Sequence, residues 1–162
     1  MNIGHSKRHL GICCLTLVLA SCGFHLRGMQ SDNQVSSLNL HCSDEASLAC
    51  QTLRQTLQDN SVSIDSNAEL GLYVGDFSST SRETASGGRN GNTREVELIE
   101  SYQAKVLRAG EVLAERRISS TGQLQYQTRN FLGNEREAGE LRQHLQRENA
   151  ISALRFINAQ IK

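Results

Sequence analysis

The stretch Arg94-Glu-Val-Glu-Leu-Ile-Glu-Ser-Tyr-Gln-Ala-Lys-Val-Leu-Arg108 decides the fold. Its apolar residues keep a period of two: Val96, Leu98, Tyr102, Ala104 and Val106 fall on one face, with Glu97, Ser101, Gln103 and Lys105 on the other. This alternation predicts a long strand with one dry and one wet face, the habit of antiparallel sheets. Ala109-Gly110 then turns the chain, and the next strand sets Val112, Ala114, Ile118, Leu124 and Tyr126 against Glu115, Arg117, Ser119, Thr121, Gln123 and Gln125. Upstream, Leu70, Leu72 and Val74 alternate with Gly71, Tyr73 and Gly75 in a strand that extends through Phe77 into a Ser/Thr-rich stretch. Between the two, Ala85–Asn92 reads as a hairpin tip, because the Asn90-Gly91 pair supplies the positive φ values of tight turns.

Helical spacing brackets these strands. Val35–Leu40 reads as a short first strand, and Ser43 follows as an N-cap with Asp44 and Glu45 in the first turn. Ala46, Ala49, Cys50, Leu53 and Leu57 make one stripe of a helix running to about Asp59, which Asn60 stops in a left-handed conformation. After a loop at Thr128–Gly133, Asn134 with Glu137 reads as a capping box opening a last helix, striped by Ala138, Leu141, Leu145, Ile151, Leu154, Ile157 and Ile161. Both stripes need the single apolar sheet face. The expected fold is therefore α+β, a two-layer sandwich with two helices packed on one face of a four-stranded, mostly antiparallel sheet, over residues 35–162.

The N-terminus reads as an address. Lys7 and Arg8 precede the eleven-residue apolar run Leu10–Ala20, shorter than the roughly 20 residues a membrane-spanning helix needs. Leu19-Ala20-Ser21-Cys22 resembles the lipobox of bacterial lipoproteins, so residues 1–21 are expected to be a cleaved signal peptide and Cys22 the lipidated N-terminus. Two or three acyl chains anchor a protein lastingly where one does not. Gly23 in place of Asp resembles the sorting signal for the outer membrane, which predicts a lipid-anchored protein facing the periplasm, with residues 22–34 as tether. Cys13 and Cys14 leave with the signal, so Cys42 and Cys50 remain as the candidate disulfide pair of an oxidising compartment. Eight residues apart in one helix they would stand about 12 Å apart, so a bond requires Cys42 to precede the helix and fold back.

Composition narrows the function further. Seventeen Lys+Arg balance seventeen Asp+Glu in 162 residues, which leaves no basic field for nucleic acid. No G-x-S-x-G elbow, P-loop or zinc spacing occurs, and His25, His41 and His144 have no partners in sequence that suggest acid–base roles, so neither an enzyme nor a cofactor or metal site is expected. Charge is unevenly placed: Met29–Ser81 holds seven acids and one base, Arg82–Arg129 eight bases and six acids. Arg82, Arg89 and Arg94 bracket the glycine-rich tip, where guanidinium groups suit an anionic head group. The competing reading is a solvated strand face interleaved with Glu95, Glu97, Glu100 and Glu115.

Cys22-Gly23-Phe24-His25-Leu26-Arg27-Gly28 resembles the C-G-F-x-L-R-G start of the mature LptE family of lipopolysaccharide-assembly lipoproteins, and the order of elements and the tip around Arg89-Asn90-Gly91 resemble that family too. The resemblance implies an outer-membrane lipoprotein that partners and plugs the LptD β-barrel and helps assemble lipopolysaccharide in the outer leaflet. It gives Arg89 the lipopolysaccharide contact, with Arg94 and Lys105 as further candidates. One departure is Leu132-Gly133-Asn134, where the family pattern carries a second basic residue and this chain has Arg129 and Arg136 only nearby. The alternative is a free-standing outer-membrane lipoprotein acting as a periplasmic binding module or inhibitor without a barrel.

Overall fold

The structure, a computed structural model, describes residues 34–87, 93–127 and 129–161. The signal, the tether apart from Gln34, and the tip at 88–92 lie outside these residues. The elements are β1 (Ser37–Cys42), α1 (Leu48–Asp59), β2 (Ser63–Ile64), β3 (Leu70–Gly87), β4 (Thr93–Arg108), β5 (Glu111–Gln127) and α2 (Phe131–Gln160). The sheet runs β2-β1-β3-β4-β5, with β1 parallel to both its neighbours and β3, β4 and β5 antiparallel. The α+β class stands, but the expected four strands are five and the sheet is mixed. The extra strand, β2, is two residues long, too short to display any alternation. It forms because Ser61 turns the chain at φ 62°, after which the Ser63 and Asp65 amides donate to the Ser36 and Leu38 carbonyls.

Alternation on β4 carries the core. Leu98, Tyr102, Ala104 and Val106 are buried on the face that both helices cover. The larger core joins Tyr102, Ala104 and Val106 to Leu38, Leu40, Leu53, Leu57, Leu72, Val74, Ala153, Leu154 and Ile157. A smaller one at the far end of the sheet holds Leu98, Ala138 and Leu145, with Val96, Leu124, Tyr126 and Leu141 packed against it. Val112, expected inside, is 54% exposed. A register shift after Val106 pairs Val112 with Leu107, which turns its side chain to the other face.

Both helix starts differ from expectation. Helix α1 is capped by Ser47, whose hydroxyl accepts from the Cys50 amide at 3.2 Å, while the Ser43 amide instead donates to the Val74 carbonyl. Residues 43–46 therefore turn rather than coil, and the turn brings the Cys42 and Cys50 Cα atoms to 6.2 Å, where the structure joins their sulfurs. Asn60 closes the helix at φ −96°, and Ser61 takes the left-handed conformation in its place. Helix α2 is capped by Asn130, four residues before the expected Asn134, which is buried inside it. The Asn134 amide is used differently: its Nδ2 donates to the Gln127 carbonyl at 2.8 Å and its Oδ1 accepts from the Gln127 amide at 3.1 Å, clasping β5 to the helix. Strand β3 also runs on to Gly87, through residues expected in the tip.

Candidate functional surface

Among the described residues, helices cover one face of the sheet only. The uncovered face displays Ser78, Thr80 and Arg82 from β3, Glu97, Ile99, Ser101, Gln103 and Lys105 from β4, and Arg117, Ser119, Thr121, Gln123 and Gln125 from β5. Its cations are matched on the spot. Arg82 donates through Nε and Nη2 to one oxygen of Glu97 at 3.0 and 2.6 Å, Lys105 lies 3.2 Å from Glu115, and Arg117 donates to the Ser101 hydroxyl at 2.9 Å. The Lys105 ammonium, and then the Gln103 amide, hold the Glu115 carboxyl below its ordinary range. What remains is a broad, nearly neutral surface of hydroxyls and amides. At its near end, Tyr73 lies across Gly75, where an added Cβ would stand 2.9 Å from the tyrosine oxygen, and His41 stacks beside it at 5.3 Å. Gly71 leaves a trough of about 350 Å³ there, bordered by Leu107 and Glu69.

Arg89 and Cys22 lie outside the described residues. Arg94 and Lys105 are not brought together. Arg94 stands opposite Tyr126 on the helix side, with Nη1 3.6 Å from Glu83, whereas Lys105 is on the uncovered face. Eleven strand residues separate them, about 36 Å, so they cannot grip one head group between them. Cys42, Glu45 and Cys50 offer atoms within 4.8 Å of one another, yet the bonded sulfurs hold no thiolate for a metal. His144 faces Glu148 at 3.3 Å in an exposed pair of α2.

Sequence reasoning placed Glu100 on a solvated face; it is 2% exposed. Its Oε1 accepts from the Ser79 hydroxyl at 2.5 Å and its Oε2 from Gln146 Nε2 at 2.6 Å, with Arg142 Nε 3.9 Å away at the rim. Next to it, Asn149 Nδ2 donates to the Glu100 carbonyl and the Tyr102 hydroxyl donates to the Asn149 carbonyl. Burial pushes the Tyr102 phenol above its ordinary range. This polar layer divides the two apolar cores. The signal for it was the parity of Glu100, even-numbered like Leu98 and Tyr102.

No protein-family model matches the chain. The LPS-assembly lipoprotein LptE of Yersinia pestis is 32% identical over 143 residues, covering 86% of this chain and 69% of its own length, and the same protein of Yersinia pseudotuberculosis matches equally. Among solved structures, the rare lipoprotein B of Shewanella oneidensis superposes with a TM-score of 0.66 at 25% identity over 76% of this chain and 94% of its own. Lipoprotein B of Nitrosomonas europaea, at 20% identity, shares the fold with a TM-score of 0.65 over 82% of this chain and 88% of its own.

Proposed function

The chain belongs to the LPS-assembly lipoprotein LptE family, and from that membership we propose that it is anchored to the outer membrane through Cys22, faces the periplasm, and lodges as a plug in the LptD β-barrel to help deliver lipopolysaccharide to the outer leaflet. The observation that carries this reading is the 32% identity, which spans 86% of the chain. The uncovered sheet face is compatible with it. A surface of Ser, Thr and Gln with paired charges exchanges water for the polar wall of a barrel lumen at little cost, whereas unpaired charges would lose their hydration.

Within this reading Arg89 contacts the phosphorylated head of lipopolysaccharide from the hairpin tip. Arg94 and Lys105, each beside a carboxylate on opposite faces, are at most separate contacts. Photo-crosslinking residues placed at Thr80 and Gln123 test the plug. In intact cells both should capture a large barrel protein, while the same group at Gln55 on α1 serves as a reference on the helical side. Absence of any barrel adduct would leave the free-standing binding module in its place. Arg89→Asp tests the tip: lipopolysaccharide affinity of the purified domain should fall about tenfold, less at high salt, with the melting temperature nearly unchanged.

A further inference from the structure

We propose that the outer edge of β5, from Ile118 to Gln127, is a strand-addition site that pairs backbone to backbone with an extended segment of a protein partner. Strand β5 ends the sheet: it pairs with β4 on one side and with no strand of the described residues on the other. Two hydrogen bonds, one beside β3 and one at the end of β5, fix which of its backbone groups face outward. The Ser43 amide donates to the Val74 carbonyl, so Val74 points away from β4. In an antiparallel ladder the orientation alternates residue by residue. Gly75, which pairs with Gln103, therefore points toward β4; Ala104, one residue on from Gln103, points toward β5 and its partner Arg116; and Arg117 points outward. No register shift interrupts β4 and β5 from there to Gln127, so Ser119, Thr121, Gln123, Gln125 and Gln127 share that outward orientation. At Gln127 this is seen directly, because its outward N–H and C=O are the groups that the Asn134 amide engages at 3.1 and 2.8 Å.

Asn134 thus mimics one residue of an added strand and satisfies the last rung. Ser119, Thr121, Gln123 and Gln125 offer the same pair of groups, and no described residue pairs with them. Their side chains lie on the uncovered, exposed face. Proteins ordinarily blunt such an edge with charge, proline or a bulge. Ile118-Ser-Ser-Thr-Gly-Gln-Leu-Gln-Tyr-Gln127 has no charged residue and no proline, while at this end of the sheet, where β1 no longer pairs, the other edge is β3 beyond Val74, and it is bulged between Gly75 and Ser78 and between Glu83 and Ala85. The occupant is accordingly a strand, with polar side chains alongside Thr121 and Gln123 and apolar ones on the helix side beside half-buried Leu124 and Tyr126.

Residue-resolved hydrogen exchange on the full chain tests this. In the purified chain the Thr121, Gln123 and Gln125 amides should exchange at least tenfold faster than those of Ser120, Gly122 and Leu124, which face β4. In outer-membrane extracts the first set should slow at least tenfold. Thr121→Pro removes one outward donor without breaking a rung to β4, and should abolish the slowing at neighbouring Ser119 and Gln123; Thr121→Val, which keeps the N–H, should not. If the odd-numbered amides exchange equally fast in both preparations, the proposal is overturned. Slowing that grows with the concentration of purified chain alone overturns it as well, by giving the edge to a second copy. The exchange comparison on the unaltered chain decides even if Thr121→Pro fails to fold.

Discussion

Gly122 of β5 and Leu141 of α2 meet so closely that a Cβ on the glycine would stand 2.8 Å from Leu141 Cδ1 and 3.2 Å from its Cγ. The missing side chain is what lets the helix settle on the far end of the sheet. Gly122→Ala should therefore displace α2 and cost about 1–2 kcal/mol, since forced overpacking outweighs the gain in chain stiffness. Leu141→Ala in the same chain should recover part of that loss. Chemical denaturation of the two single variants and the double variant gives the coupling, which vanishes if the two residues do not touch.

The buried carboxylate of Glu100 is held by Ser79 and Gln146. Glu100→Ala strips the Gln146 amide of its acceptor inside the protein and should cost about 3 kcal/mol. Replacing both Glu100 and Gln146 by Leu should cost less than Glu100→Ala alone, because it leaves no buried donor orphaned: the Ser79 hydroxyl is exposed and turns to water. Urea unfolding that ranks the double variant lowest would contradict this account.

Closing a short loop across Cys42 and Cys50, with a sequence separation of 8, restricts the unfolded chain. Loop entropy sets the stabilisation at about 2.5 kcal/mol. A dithiothreitol-treated sample, or Cys42→Ser with Cys50→Ser, should melt lower by roughly 10 °C for a domain of this size.

Glu115 should titrate below an ordinary glutamate because the Lys105 ammonium and the Gln103 amide favour its charged form. A depressed folded-state value means that the stabilisation is present above the ordinary glutamate range and fades as pH falls through the lowered midpoint. In Lys105→Met the Glu115 midpoint, followed by carboxyl NMR, should move up toward the ordinary value.

Asn134 links β5 to α2 through both backbone groups of Gln127. Asn134→Leu should leave those two groups unpaired at a partly buried position and cost about 2 kcal/mol. Faster exchange of the Gln127 amide is the local signature to look for, with exchange of the other β5 amides unchanged.

Local sequence determined what depends on neighbours in the chain. The period of two across Val96, Leu98, Tyr102, Ala104 and Val106 settled which face of β4 is dry, and the stripe Ala49, Cys50, Leu53 and Leu57 settled which side of α1 is buried. Covalent and local cues do not say which of several Ser or Asn residues will cap a helix. Ser47 caps α1 because its hydroxyl reaches the Cys50 amide, while the Ser43 backbone N–H ties the chain to Val74, a residue 31 positions away, and Asn134 gives way to Asn130 because its side-chain amide engages Gln127. Nor does a carboxylate in a strand announce its burial: Glu100 became a core residue only because Gln146 and Ser79 converge on it from other elements. The separation of Arg94 from Lys105, the two-residue strand β2 and the open edge of β5 are likewise products of pairing between distant segments. Long-range hydrogen bonds choose among locally equivalent options, so those features existed only once the sheet and both helices were assembled.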